Sequence, residues 1–236
     1  MTLFAKLPKL WGPLLALEGL AVAGGILSYR LLAGTPGLYG VWPWVVARAA
    51  GIGAYGLLTV LVLLGLGMSH PSGQRLLNRA FFPYHQMLAL GVLALVAVHG
   101  AALAWDRYAG VGWVGLVVPG VSGYRPGPVA LGVVAAEAMV WIAVTAHLTY
   151  NMRRLRWITV HRLALVVFAL VWAHGVWAGT DSVPLADFYR ATGLAVGMAA
   201  AWRYGVERRR PAGAPRARSG GGASPAPAAV GEEPRP

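Results

Sequence analysis

The stretch Trp157-Ile-Thr-Val-His161-Arg-Leu-Ala-Leu-Val-Val-Phe-Ala-Leu-Val-Trp-Ala-His174-Gly-Val-Trp-Ala-Gly-Thr180 is an apolar run of transmembrane length with one histidine near each end. A second such segment lies upstream, from Phe82-Pro-Tyr-His85 to His99-Gly-Ala-Ala-Leu-Ala-Trp105, and carries two more. Four imidazoles thus fall as two pairs inside helices suited to hydrocarbon. The rest of the chain reads as the bundle that frames them.

Composition agrees with that frame. Of 236 residues, 57% are hydrophobic and 12% charged. Several apolar runs reach about twenty residues, the length a helix needs to cross a bilayer. The chain is therefore an all-α integral membrane protein. Cysteine is absent, which removes disulfides, iron–sulfur clusters and thiolate zinc sites and leaves histidine as the strong metal ligand. The net charge of +12 does not point to nucleic acid, because the basic residues flank apolar segments and form no aromatic-interleaved patch.

Six spans are expected. Residues 1–9 form a leader with Lys6 and Lys9, and 10–32 form the first span. Ala21-Val22-Ala23 resembles a signal cleavage site, yet the apolar run continues to Arg30, longer than a signal core. Further spans cover 43–68, 82–105, 127–150, 157–178 and 186–204, and the membrane domain as a whole is 10–204. The connection 106–126 is too rich in glycine and tryptophan to cross and reads as an interfacial segment capping the site. Residues 205–236, rich in Arg, Pro, Ala, Gly and Ser, read as a disordered cytoplasmic tail.

Arginine and lysine orient this bundle. With the N-terminus inside, Lys6, Lys9, Arg75, Arg79, Arg153, Arg154, Arg156, Arg162 and the arginines from Arg203 onward fall on the cytoplasmic side. That is 15 of the 20 basic residues, as the positive-inside rule requires. A multi-pass protein of the inner (plasma) membrane with both termini cytoplasmic follows.

The topology then gives the histidines depths. The fourteen-residue step from His85 to His99 rises roughly 21 Å, and the thirteen-residue step from His161 to His174 about 20 Å. His85 is level with His161 toward the cytoplasmic side, and His99 with His174 toward the outside. Azimuth matches less well: His85 and His99 differ by about 40° on an ideal helix, His161 and His174 by about 140°. Either the last of these spans is locally irregular or the two sites are rotated about the membrane normal. Two depth-matched pairs are the pattern of bis-histidine ligation of two stacked haems between the third and fifth spans, with His85, His99, His161 and His174 as metal ligands. Each imidazole then needs an acceptor for its other nitrogen.

With Leu116-Val-Val-Pro119-Gly-Val-Ser122-Gly-Tyr124-Arg125-Pro126, Arg156-Trp157 before His161, and His174-Gly-Val-Trp-Ala-Gly179-Thr180-Asp181-Ser182, this histidine spacing resembles the ferric reductase-like transmembrane domain family. That family takes in the membrane part of NADPH oxidases and the haem subunits of bacterial periplasmic methionine sulfoxide reductases. The resemblance covers about 43–204. It implies a six-helix bundle holding b-type haem, His85 and His161 on the inner haem, His99 and His174 on the outer, and electron transfer across the membrane. Larger members carry a flavin and nicotinamide domain after the last span. Here only the tail follows, with no phosphate-cradling glycine loop, so the expected donor is a cytoplasmic flavoprotein, a weakly bound FMN or FAD, or membrane quinol. The expected acceptor is ferric iron, oxygen or a periplasmic redox enzyme.

The remaining polar residues fill out these expectations. Arg48 is placed to meet a propionate of the outer haem or to snorkel, and Arg162 to meet an inner propionate or a docking flavoprotein. Glu137, in the middle of the fourth span, reads as a buried hydrogen-bond partner, and Glu18 in the first span as structural. His147 is a surface histidine or a spare ligand. The competing function is haem-free, proton-coupled transport through the intramembrane histidines with Glu18, Glu137 and Arg48.

Overall fold

The computed structural model describes residues 40–70, 74–147 and 154–208, without the side chains of 74–79, 147, 154–157 and 206–208. The leader, the expected first span with Glu18 and Arg30, Arg153 and the tail from residue 209 lie outside the described residues. So do the side chains of Arg75, Arg79, His147, Arg154 and Arg156.

Every regular element among the described residues is helical. In chain order they are α1 (Trp42–Ser69), α2 (Gln74–Trp105), the short α3 (Gly112–Gly115), α4 (Pro126–His147), α5 (Arg154–Arg162), α6 (Ala164–Ala178) and α7 (Ala186–Arg208). Pro43 in α1 and Pro126 and Pro128 in α4 sit in first turns, where a missing N–H breaks no helical bond. α7 runs four residues past the point where the sequence suggests a tail.

Four stretches are long and apolar enough to cross a membrane: Trp42–Ser69, Ala80–Trp105, Pro126–Ala146 and Ile158–Ala178. Their large apolar side chains face outward as well as inward, with Val60, Leu90, Val98, Trp141 and Val166 all exposed. Hydrophobicity all round suits a lipid solvent, because no aqueous face has to be served. The protein is thus a multi-pass, all-helical membrane protein.

The last of these spans bends its rule at Leu163, the residue between α5 and α6. Its N–H donates to the carbonyl of Val160 at 3.0 Å, three residues back, which is a 3₁₀ turn. Such a step turns about 120° against about 100° for an α-helix. The span is thus locally irregular between His161 and His174, and one such step takes about 20° from the azimuthal gap of about 140°.

Helices α1 and α2 pack closely along their length, as do α4 and α6, whereas α2 and α6 are not among the closely packed pairs. The two histidine-bearing helices meet instead through their histidine rings. Between the histidine levels the bundle is filled by Tyr55, Leu58, Val92, Phe168, Tyr189 and Val196. Val92, 1% exposed, stands midway between His85 and His99. Tyr55 stacks on Phe168 with ring centroids 6.0 Å apart, and its hydroxyl is hydrogen-bonded to Thr192.

Candidate functional site

The four sequence-selected histidines meet in the expected pairs. His85 and His161 have ring centroids 5.9 Å apart with planes at 60°, and His99 and His174 are 6.4 Å apart at 82°. Two imidazoles bound to opposite sides of one metal ion, with metal–nitrogen bonds of about 2.0–2.1 Å, hold their centroids about 6 Å apart. Both pairs have that spacing.

Hydrogen bonds orient the rings of the second pair. His99 Nδ1 lies 2.7 Å from the carbonyl oxygen of Ala47, and His174 Nδ1 lies 2.9 Å from that of Pro128. A carbonyl oxygen only accepts, so each Nδ1 carries the proton and donates. Nε2 then keeps its lone pair, the tautomer a metal ligand needs. At the other level, His85 Nδ1 has no hydrogen-bond partner among the described residues.

Glycines admit the imidazoles to these positions. A Cβ at Gly51 would come within 2.9 Å of His99, one at Gly65 within 3.2 Å of His85, and one at Gly132 within 2.7 Å of His174. The α1 glycines are fourteen residues apart and so are the α2 histidines, which is what one antiparallel register produces. Gly51 and Gly132 each lie one turn beyond the carbonyl that receives the imidazole proton. Sequence reading missed these glycines, although the shared fourteen-residue spacing was there to be seen.

The connection between α2 and α4 folds over the His99–His174 end. Leu116 packs on Gly100, where an added Cβ would sit 3.5 Å from its side chain. The loop closes on itself through Gly123 N–H to Gly110 O at 2.9 Å. It is anchored to the end of α6 by the Tyr124 hydroxyl on Ala178 O, 3.0 Å, and by Arg125 on Trp177 O, 2.7 Å. Arg125 takes φ 38° to make that reach, an unusual conformation for a residue with a side chain. The expected cap is present as a loop with one helical turn.

Three further polar residues have defined surroundings. Arg48 makes a two-pronged ion pair with Asp181, Nε to Oδ2 at 2.5 Å and a second contact from Nη2 to Oδ1, while its guanidinium lies 4.0 Å over the Trp44 ring. Asp181 had no place in the sequence reading, because 133 residues separate it from Arg48. Arg162 lies 5.9 Å over the Tyr204 ring, which Arg203 approaches to 5.3 Å. Glu137, expected to be a buried partner, is exposed on α4, since the neighbouring Val133 and Ala135 take the inward positions.

At each level the chain presents two imidazoles, and among the described residues no group of three or more metal-ligating side chains converges. Two imidazoles alone would suit a metal group that brings its remaining ligands with it. They are too few for a tetrahedral protein site. No family model, no curated protein and no solved structure matches this chain.

Proposed function

We propose that this chain is a membrane electron-transfer protein of the ferric reductase-like kind, holding one b-type haem on His85 and His161 and another on His99 and His174. The observation that carries the reading is the pair of imidazole couples 5.9 Å and 6.4 Å apart, bridging helices whose backbones stay apart. A bound haem would supply a one-electron redox couple. The residues of this chain supply the rest. The four histidines would hold the haems, and the carbonyls of Ala47 and Pro128 keep two of them in the ligating tautomer. Tyr55, Val92 and Phe168 keep the layer between the levels dry, and the loop ending in Arg125 covers one end.

In this reading α7 and residues 10–32 complete six spans, with both termini cytoplasmic. His85 and His161 lie toward the cytoplasmic side and receive electrons from a flavoprotein, a flavin or quinol. His99 and His174 lie toward the outside and deliver them to ferric iron or a periplasmic redox enzyme. Proton-coupled transport is the weaker reading, because Arg48 is engaged by Asp181 and Glu137 is exposed, so these groups do not line one path with the histidines. A pyridine haemochrome assay with a reduced-minus-oxidised spectrum tests the proposal. Two low-spin b-type haems per chain are expected, and a haem-free preparation that still folds defeats it.

A further inference from the structure

The connection between α2 and α4 has an apolar outer side. Val111, Gly115 and Ser122 are buried. Trp113, Val114 and Val117 are 61%, 64% and 64% exposed, and Val118 and Val121 are 41% and 52% exposed. Steps of one, three and four residues put the first four on one face of the helical turn, and Val121 follows beyond Pro119. From Tyr108 to Tyr124 the chain carries no charged side chain, and an arginine stands at either end, Arg107 and Arg125.

Water penalises such a face, and proteins rarely leave one uncovered. We propose that it enters the lipid leaflet at the His99–His174 end of the bundle, with Arg107 and Arg125 reaching the phosphodiester headgroups at its rim. The inference rests on α2 and α6 crossing the membrane and not on the haem reading.

Depth, backbone and charge favour lipid over a protein partner. Trp105 at the end of α2 and Trp177 near the end of α6 are 68% and 55% exposed, which is the placement of an aromatic belt at the membrane interface. The loop leaves directly after Trp105 and is tied back to the same level by Tyr124 on Ala178 O and Arg125 on Trp177 O. Both of its ends therefore lie at the interface. A segment entering lipid must also satisfy its own backbone. Here the N–H groups of Leu116, Val117 and Val118 donate to the carbonyls of Trp113 and Val114, in the part that carries the most exposed side chains. The rim is cationic, and a long arginine side chain lays its stem along apolar surface while its head stays with phosphate. Arg125 gives one guanidinium nitrogen to Trp177 O, and a guanidinium has five N–H donors. The seated face also steadies the cap, because Leu116 packs on Gly100, the residue after His99.

The absence of native cysteine allows one nitroxide label at a time, at Val114→Cys or Val117→Cys, in nanodiscs of phosphatidylethanolamine and phosphatidylglycerol. Collision with oxygen should exceed collision with a water-soluble nickel chelate severalfold, as at Val166→Cys on the exposed apolar side of α6. Asp187→Cys, at a side chain 96% exposed, should show the reverse. Adding Arg107→Gln should lower the oxygen-to-chelate ratio at Val117→Cys, because one headgroup contact is lost. Chelate-dominated collisions at Val114→Cys and Val117→Cys would overturn the proposal and leave the face to a protein partner. A ratio unmoved by Arg107→Gln would overturn the role given to the arginine rim. The label needs no cofactor, so neither result bears on the haem reading, which the haemochrome assay tests separately.

Discussion

His174 lies against Gly132 so closely that a single added methyl group would meet its imidazole ring at 2.7 Å, while its Nδ1 stays 2.9 Å from the carbonyl of Pro128 in the preceding turn. The same arrangement, Gly51 with the carbonyl of Ala47, holds His99. Ring position and tautomer are set by the neighbouring helix rather than by the helix that carries the histidine. Gly132→Ala should therefore displace the imidazole and lose the haem proposed for His99 and His174, a drop of about half in total haem. Gly65→Ala, with 3.2 Å to His85, should shift the other component and leave it bound. Difference spectra and haem stoichiometry of the variants check both.

Ligand deletion should follow the pairing. His99→Ala and His174→Ala should each remove one spectral component, and His85→Ala and His161→Ala the other. If His161→Ala and His174→Ala remove the same component, the pairs are wrong. Redox titration of each variant reads this directly.

The Arg48–Asp181 pair joins α1 to the α6–α7 connection. Its side chains are 36% and 19% exposed, so solvent screens it, and loss of either partner should cost about 1 kcal/mol or less. Arg48→Gln and Asp181→Asn should lower thermal stability in detergent by similar small amounts and shift the spectrum of the His99–His174 haem equally. A much larger change for Arg48→Gln alone would mean that Arg48 serves the cofactor directly.

A haem takes one electron at a time and nicotinamide gives two as hydride, so a flavin is normally interposed. The purified chain without flavin should not oxidise NADPH. Reduction should appear when a flavoprotein or a quinol analogue is added. With an acidic flavoprotein as the donor, it should slow as salt is raised. Stopped-flow absorbance at the haem bands distinguishes the two donors, since the quinol reaction should be indifferent to salt.

Much of this was legible in the sequence. Helix placement followed from apolar runs and prolines, because a bilayer demands about twenty apolar residues per crossing whatever their neighbours. The pairing of His85 with His161 and His99 with His174 followed from rise per residue alone, since depth depends only on position along a helix.

Azimuth and partnership were decided by the tertiary structure. The helix tightens by one 3₁₀ turn at Leu163, between His161 and His174, and the spacing of histidines cannot show where a helix tightens. Arg48 pairs with Asp181, and Glu137 came to lie on an exposed face, because which side of a uniformly apolar helix turns inward is fixed by packing and not by a polar stripe. The membrane removes the amphipathic pattern that marks the inner face of a soluble helix. The sequence by itself thus determined which residues lie at which depth, and only the packing of α1 on α2 and α4 on α6 decided what each of them touches.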